Sequence, residues 1–503
     1  MVNDSIYGYI SSAVVDGMLP EGFSLSRYYG DADEIQWADG ATDGTCIYHM
    51  RPKDLSQEEV ALIAQAVQVA AGGELSDAES LFSNLGQEIR ACTATWDLQQ
   101  YVVKHSDELN GGNLLEAGLY LAMDSTDTEC VKYGISILGL FNTDGNEVLK
   151  DVVRILGLCD EFTIFSLSVM SGWENGNDEI WNLARKVHGW GRIHAVDFIS
   201  SSSDEVRHWL LTDGVHNDIM AAYSALTCWE KADVREKLRG ELSIEEFQGI
   251  RDIISGLFDE GPVAGISAIA ECDDSIKMFL EHARKLAAVV ADYEVVREIA
   301  DYYEETDNEI SDLCRNILTS DSCRRTVSDA VKEGQGIELA QDLGIDCRDI
   351  ILNLIKDDLE NRSYLSSRIM ADPEYRGKVL DVYRDKLPLS KMIPNPINSS
   401  GQIEFWRLNA YEMLLQDLRR FPGEGQDFVL TALQCTPISL VNSGLFVIEY
   451  WVSRKGAPLK ECLPDFYDKV YSLRKTHRIG NLQDRLDPIL EGSTEFNNII
   501  KDW

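Results

Sequence analysis

The feature of this chain that decides its fold is a series of short amphipathic segments that recurs at a nearly fixed interval. The first two segments lie in residues 113–138, NLLEAGLYLAMDSTDTECVKYGISIL, and similar segments continue to residue 237. A two-helix unit cannot bury its apolar stripe alone, whereas stacked units bury it in a continuous core. The pattern therefore predicts a stacked array of helix pairs.

Two interleaved series of predicted helix starts carry this period. The first members of the pairs are expected to open near Leu114, Asn146, Asp178 and Asp204. The second members are expected to open near Thr128, Asp160, Gly191 and Asn217. Steps within each series are about 32 residues, and the last step is about 26. Side chains that accept hydrogen bonds from free backbone N–H groups precede several starts, namely Asn113, Thr126, Asn177 and Ser203.

The charge of the chain is strongly acidic. It has 85 Asp and Glu against 46 Lys and Arg, a formal net charge of −39. Such a field repels nucleic acid and anionic membranes unless a basic patch overrides it, and the basic runs here are short. We expect no nucleic-acid or membrane partner. We rank three explanations of the acidity, with solubility first, attraction to a basic partner protein second and mimicry of DNA third.

Cysteine usage and hydropathy favour a cytoplasmic protein. The eleven cysteines are scattered over the 503 residues and form no CxxC pair. Their positions in apolar helical patterns predict reduced thiols in the core. Residues 1–20 include Asp4 and no basic stretch, unlike a secretory signal. We find no run that reaches the roughly 18 apolar residues of a membrane helix.

Changes of pattern along the chain predict four regions. Residues 1–52 are irregular, and a β-hairpin is possible from segments 35–37 and 46–49. An array of helix pairs follows over 53–258, opened by a capping box of Ser56 and Glu59. Residues 259–387 are a less regular acidic helical region. A proline-bearing loop, PLSKMIPNPINSS at 388–400, separates it from a helical block at 401–503.

Histidine and tryptophan are concentrated in residues 173–229, which gives the chain its best candidate for a binding surface. We name the candidate binding residues as Trp173, Trp181, Trp190, Arg192, His194, Asp197, His208, Trp209 and His216. One interpretation is that these aromatic side chains fill the space between helices, as large rings usually do. The other is a contact face for a peptide or protein, since arrays bind along a concave side.

Signals for catalysis are weak. Glu205 and His208 form one ExxH, but a di-iron bundle needs two such motifs and two further glutamates, so we predict no metal. The sequence lacks the GxSxG, GxxxxGK[ST] and strand-following GxGxxG motifs of hydrolases, nucleotide-binding loops and dinucleotide folds. We therefore predict no cofactor. Among 85 acidic residues, no acid/base pair can be singled out.

In period and apolar pattern the chain resembles the HEAT and armadillo class of helical repeats, over 113–240 and more loosely over 400–475. Residues 173–229, with KVHGWGRIHAVDF and AAYSALTCWEK, are also similar to a bacterial family of unassigned function. Its relatives sometimes carry a limonene hydroxylase label. The resemblance implies an all-α protein, a superhelix or solenoid of HEAT-like helix pairs with a small irregular N-terminal element.

Three functions remain open at this point. The favoured one is a non-catalytic, cytoplasmic scaffold or adaptor that binds another protein. The second is an enzyme with a pocket enclosed by the array that acts on a small apolar molecule, a reading for which the motifs give no chemical support. The third is an acidic inhibitor of a basic protein, or a DNA mimic.

Overall fold

The structure, a computed structural model, describes residues 4–29, 37–50, 54–261, 263–304, 308–392, 405–476 and 482–494. Within these ranges the chain is helical and has no β-strand, only an isolated bridge between Val15 and Met18. The all-α prediction is confirmed. No helix in the same ranges is long and apolar enough to cross a membrane. The chain divides into two compact units, Met1–Ser320 and Asp321–Trp503.

The first unit contains α1 to α18. They are α1 Ile6–Ala13, α2 Ala41–His49, α3 Gln57–Gly72, α4 Leu75–Glu88, α5 Ala91–Lys104, α6 Gly111–Asp124, α7 Thr128–Leu138, α8 Glu147–Gly157, α9 Asp160–Met170, α10 Gly176–Ala184, α11 Trp190–Phe198, α12 Asp204–Thr212, α13 Ala222–Lys231, α14 Val234–Leu238, α15 Ile244–Phe258, α16 Cys272–Leu286, α17 Val290–Tyr303 and α18 Asn308–Leu318. Short 3₁₀ turns lie at Ser26–Tyr28 and Ile266–Ala268.

The second unit contains α19 to α30. They are α19 Asp321–Ala330, α20 Ile337–Asp342, α21 Arg348–Asp357, α22 Leu359–Arg362, α23 Pro373–Lys386, α24 Leu389–Met392, α25 Phe405–Leu418, α26 Gln426–Ala432, α27 Ile438–Lys455, α28 Leu459–Cys462, α29 Pro464–Thr476 and α30 Leu482–Leu490. Turns of 3₁₀ helix lie at Val331–Glu333 and Ser363–Arg368. Helix α24 falls inside the segment predicted as a loop, and residues 393–400 of that loop lie outside the described residues.

Several helix starts were predicted correctly because the capping group lies within one turn of the start. The Ser56 hydroxyl accepts from the Glu59 N–H, and the Glu59 carboxylate accepts from the Ser56 N–H, as in the predicted capping box. The Ser203 hydroxyl accepts from the N–H of Val206 at the start of α12. Helices α7, α9 and α12 begin at the expected residues.

Other predicted starts or capping residues were wrong. Helix α6 begins at Gly111, since Asn110 rather than Asn113 accepts from its first N–H groups. Asp127 rather than Thr126 caps α7. Asn217 does not open α13, because its side chain folds the chain into a turn by accepting from the N–H groups of Ile219 and Met220.

The period of the second helices is more regular than the sequence suggested. Helices α7, α9, α11 and α13 begin at residues 128, 160, 190 and 222, that is, at steps of 32, 30 and 32 residues. The shortened last step predicted for this series is therefore wrong. Each of these helices contacts the first helix of its own pair, and α7, α9, α11 and α13 also contact one another in that order.

Helix α7 is the centre of this packing. Every residue from Cys130 to Leu138 is buried, because α7 lies among α4, α5, α6 and α9. Its approach to α6 depends on glycine. A Cβ added to Gly134 would lie 2.7 Å from the backbone nitrogen of Ala122 and 2.8 Å from the carbonyl oxygen of Gly118. The two backbones are therefore too close for any side chain at this position.

The possible β-hairpin of the N-terminal region is wrong where the structure describes it. Residues 46–49 belong to α2, which Gly40 opens with a φ of 76°. Segment 41–49 satisfies its backbone hydrogen bonds as a helix, and Ala41, Gly44 and Tyr48 at helical spacing share one face. Most of the other proposed strand, residues 35 and 36, lies outside the described residues.

We predict that Gly134→Ala lowers the free energy of unfolding of the first unit by about 1–3 kcal/mol, since rigid backbone cannot yield to the new methyl group. The matched control is Gly145→Ala, because nothing lies within 4 Å of a Cβ at that position. Urea midpoints followed by circular dichroism test the pair. Equal midpoints for the two variants would show that α6 and α7 separate at little cost.

Candidate binding surface beneath helix α2

Helix α2 lies across the surface that the second helices of the pairs form. Its residues contact α5, and its side chains reach Lys132 of α7, Asp197 of α11 and Tyr223 of α13. Just before α2, the N–H of Gly40 donates to the Glu161 carboxylate of α9 over 2.6 Å. One short segment therefore contacts five alternate helices, α5, α7, α9, α11 and α13.

Two glycines allow α2 to approach this surface closely. A Cβ at Gly40 would lie 2.7 Å from the carbonyl oxygen of Asp160, and Gly40 also has a left-handed backbone that favours glycine. A Cβ at Gly44 would lie 2.2 Å from a ring carbon of Trp190. The Trp190 ring consequently packs against the backbone of α2 rather than against a side chain.

A buried lysine holds the N-terminal segment to the array. The Lys132 ammonium is 0% exposed and lies 2.8 Å from Asp43 of α2, 2.9 Å from Glu129 and 2.6 Å from Glu161. Burial alone lowers the pKa of Lys132, but the three carboxylates outweigh burial and hold that pKa well above its usual value. Burial raises the pKa of Glu129. The cluster is thus a charged lysine surrounded by acids from three helices.

Aromatic contacts fix the other end of α2. The Tyr48 hydroxyl donates to Asp197 over 2.5 Å, and its ring stacks on His194 with centroids 5.9 Å apart. The Nε2 atom of His49 lies 2.5 Å from the Tyr223 hydroxyl. Burial lowers the pKa of His194 to about 4, so its ring is neutral at pH 7.

Three of the predicted binding residues, Trp190, His194 and Asp197, therefore do converge, but they bind Tyr48 of the same chain. Trp190 and His194 are 6% and 3% exposed and cannot contact a partner directly. Only Asp197 is exposed. The sequence could not show this, because α2 was not expected to be a helix or to lie here.

A second group of predicted residues meets at Asp213. The Asp213 carboxylate accepts from Arg192 over 2.8 Å and from the Trp209 indole over 3.0 Å. His216 lies 3.4 Å from the same carboxylate and 3.0 Å from Asp252. Its hydrogen bond to Asp252 is the main reason that its pKa is raised. Arg192 is buried, whereas His216 is exposed, so this group joins helices and leaves only part of its surface accessible.

The remaining predicted residues stand apart. Trp173 is buried and donates from its indole N–H to the Thr143 hydroxyl over 2.8 Å. Trp181 is partly exposed beneath Arg185, and His208 is exposed with Nε2 3.9 Å from Glu245. The nine residues thus do not form one contact face. Among the described residues, no three His, Cys, Asp or Glu side chains are grouped so that they could hold a metal ion.

An apolar pocket of about 270 Å³ opens beside α2 on the same surface. Its lining residues come from α2, α5, α7, α9 and α11, and they are Ile47, Cys92, Thr95, Gln99, Ser136, Ile164, Phe165, Ser168, Val169 and Phe198. Sequence analysis missed this pocket, and of its lining only Phe198 lies in the segment that had been singled out.

Residues at the same position of successive second helices line the pocket, and this recurrence is visible in the sequence. The ninth residue of α5 is Gln99, that of α7 is Ser136, that of α9 is Ser168 and that of α11 is Phe198, and all four line the pocket. The fifth residues of α5 and α9, Thr95 and Ile164, also line the pocket, whereas those of α7 and α11, Lys132 and His194, lie beneath α2. Equivalent positions of α5, α7, α9 and α11 therefore face the same surface.

Comparison of the chain with protein-family models, with curated proteins and with solved structures finds no match.

We predict that Lys132→Met lowers the free energy of unfolding of the first unit by about 3–5 kcal/mol, because three buried carboxylates lose their counter-ion. Lys104→Met, at the exposed end of α5, is the control and is expected to change it by less than about 0.5 kcal/mol. Urea denaturation measures both. Similar midpoints would mean that water enters the cluster at little cost.

His194 makes stability depend on pH. Its pKa is about 4 in the folded protein and 6.5 ordinarily, so between these values the unfolded chain binds more protons. Stability is therefore lost as the pH falls from 6.5 to 4, by up to about 3 kcal/mol. His194→Gln is expected to remove this dependence, as measured by urea midpoints at pH 7, 5.5 and 4. Burial raises the pKa of Asp160 to about 7. This carboxylate is present in both the wild type and the variant, so it does not account for a difference between them. Parallel pH profiles would contradict the prediction.

Proposed function

We propose that the protein is a non-catalytic scaffold that binds a segment of another protein on the surface shared by its second helices. In this proposal, the helix pairs stack as a curved solenoid of the HEAT and armadillo kind, with α7, α9, α11 and α13 on the concave side. The contacts among these four helices and the recurrence of equivalent positions on one surface support this arrangement.

The observation that carries the proposal is that this surface already binds one helical segment, α2. The segment is held by close packing at Gly40 and Gly44, by an ion pair between Asp43 and Lys132 and by the hydrogen bond from Tyr48 to Asp197. Arrays of helix pairs use the same combination of groove and polar anchors to bind peptides. Helix α2 fills only part of the surface, and the ninth-residue positions beside it remain accessible at Ser168 and Phe198.

The chemistry of the partner follows from charge. With a net charge of −39, the chain attracts a protein segment that carries basic residues and repels nucleic acid and anionic lipid. All eleven cysteines are free thiols, which supports a reducing compartment such as the cytoplasm.

The side chains around the pocket support binding rather than catalysis. Burial raises the pKa of the Cys92 thiol, which keeps it protonated and a poor nucleophile near neutral pH. The Thr95 and Ser136 hydroxyls lie 2.7 Å and 2.8 Å from backbone carbonyl oxygens of their own helices. Neither hydroxyl is hydrogen-bonded to a described basic side chain that would activate it.

We predict that one partner protein cross-links to the ninth-residue surface in the native cell. The photoreactive residue p-benzoylphenylalanine is placed at Phe198 of α11 and at Glu230, the exposed ninth residue of α13. The control position is Val148 of α8, a first helix, where the side chain is 68% exposed. Mass spectrometry is expected to identify the same partner at Phe198 and Glu230 and to find it absent at Val148.

An equal yield at Val148, or no cross-link at the two test positions, would contradict the proposed surface.

The salt dependence of partner binding distinguishes a scaffold from an acidic inhibitor. A partner held by charge alone loses affinity steeply between 50 mM and 500 mM salt, whereas one held in part by apolar contacts loses much less.

A further inference from the structure

The pocket beside α2 has the size of a site for a compact molecule. Its volume of about 270 Å³ lies between the cavity of about 150 Å³ that holds benzene and the 300–1,000 Å³ of typical drug-sized sites. Helices α5, α7, α9 and α11 supply its walls, and Ile47 of α2 lies at its edge. Ile47 and Phe198 are partly exposed, at 42% and 38%, so apolar surface is left for a ligand to cover.

The two sides of the pocket differ in polarity. The polar side comes from α5 and α7, where the Thr95 and Ser136 hydroxyl oxygens lie 2.9 Å apart and the Gln99 amide donates to the Ser136 carbonyl over 3.2 Å. The apolar side comes mainly from α9 and α11, with Ile164, Phe165, Val169 and Phe198. A ligand that matches this separation has an apolar body and one polar group at its end.

The charges around the pocket select a neutral ligand. None of the lining side chains is ionised at neutral pH. The Lys132 ammonium lies 5.9 Å from the centre of the Phe165 ring and is paired with Asp43, Glu129 and Glu161. An anion would meet an excess of carboxylates behind the ring, and a cation would lose its hydration against apolar walls.

We propose that this pocket binds a small neutral molecule that carries one hydroxyl group on an aromatic ring or short apolar body. The hydroxyl faces Thr95, Ser136 and Gln99, and the apolar body packs against Phe165 and Phe198. The proposal can be tested separately from protein binding on the same surface, because its test uses the purified chain without a partner.

The test uses the purified chain and three probes of similar size. The probes are p-cresol, toluene and benzoate, and the binding of each is measured by ligand-observed NMR. Binding of p-cresol is expected to be about 5–10-fold tighter than that of toluene, which lacks the hydroxyl. Benzoate, an anion, is expected not to bind. Absence of p-cresol binding at millimolar concentration overturns the proposal, and so does benzoate binding as tightly as p-cresol.

Two pocket variants test whether the ligand binds in this pocket. Ser168→Trp puts an indole at the exposed rim and is expected to weaken p-cresol binding at least tenfold, whereas Ser472→Trp, on an exposed position of α29, is expected to leave it unchanged. Thr95→Val removes one hydroxyl at nearly constant volume. It is expected to weaken p-cresol several-fold and to leave toluene binding unchanged. Equal affinities in the wild type and both pocket variants overturn the assignment.

Discussion

The ammonium of Lys132 is the interaction on which the candidate surface depends. It is buried in the centre of the helix array, and such a charge is tolerated only where opposite charges surround it. Two of its carboxylates, Glu129 and Glu161, come from neighbouring second helices, and the third, Asp43, comes from the N-terminal segment. The same ion cluster therefore links adjacent pairs of the array and holds α2 on their common surface.

One part of this surface is covered by α2, and another part is exposed. Helix α2 and the glycine before it contact Lys132 of α7, Glu161 of α9 and His194 of α11. The ninth residues of the same helices line the apolar pocket, to which α2 contributes Ile47. The two ligands that we propose for this exposed part are a protein segment along the row of helices and a small neutral molecule within the pocket.

The cluster of histidine and tryptophan shows how composition can mislead. Its density suggested a single contact face, yet its residues separate into a group beneath Tyr48, a group around Asp213 and several isolated side chains. Large rings lie between helices because they bury the most apolar area, and this holds for Trp173 and Trp190. The pocket, in contrast, is lined on one side by serine, threonine and glutamine, which attract no notice in a sequence.

The sequence by itself determined that the described chain is helical, and it determined many of the places where helices begin. Capping at Ser56 and Ser203 depends on atoms within one turn, so it can be recognised from neighbouring residues. Tertiary structure alone decided where α2 lies, which rings are buried and where the pocket opens. These features rest on contacts between distant residues, such as Tyr48 and Asp197, which are 149 positions apart. No local pattern encodes such a contact, because the free energy gained depends on how the intervening helices pack.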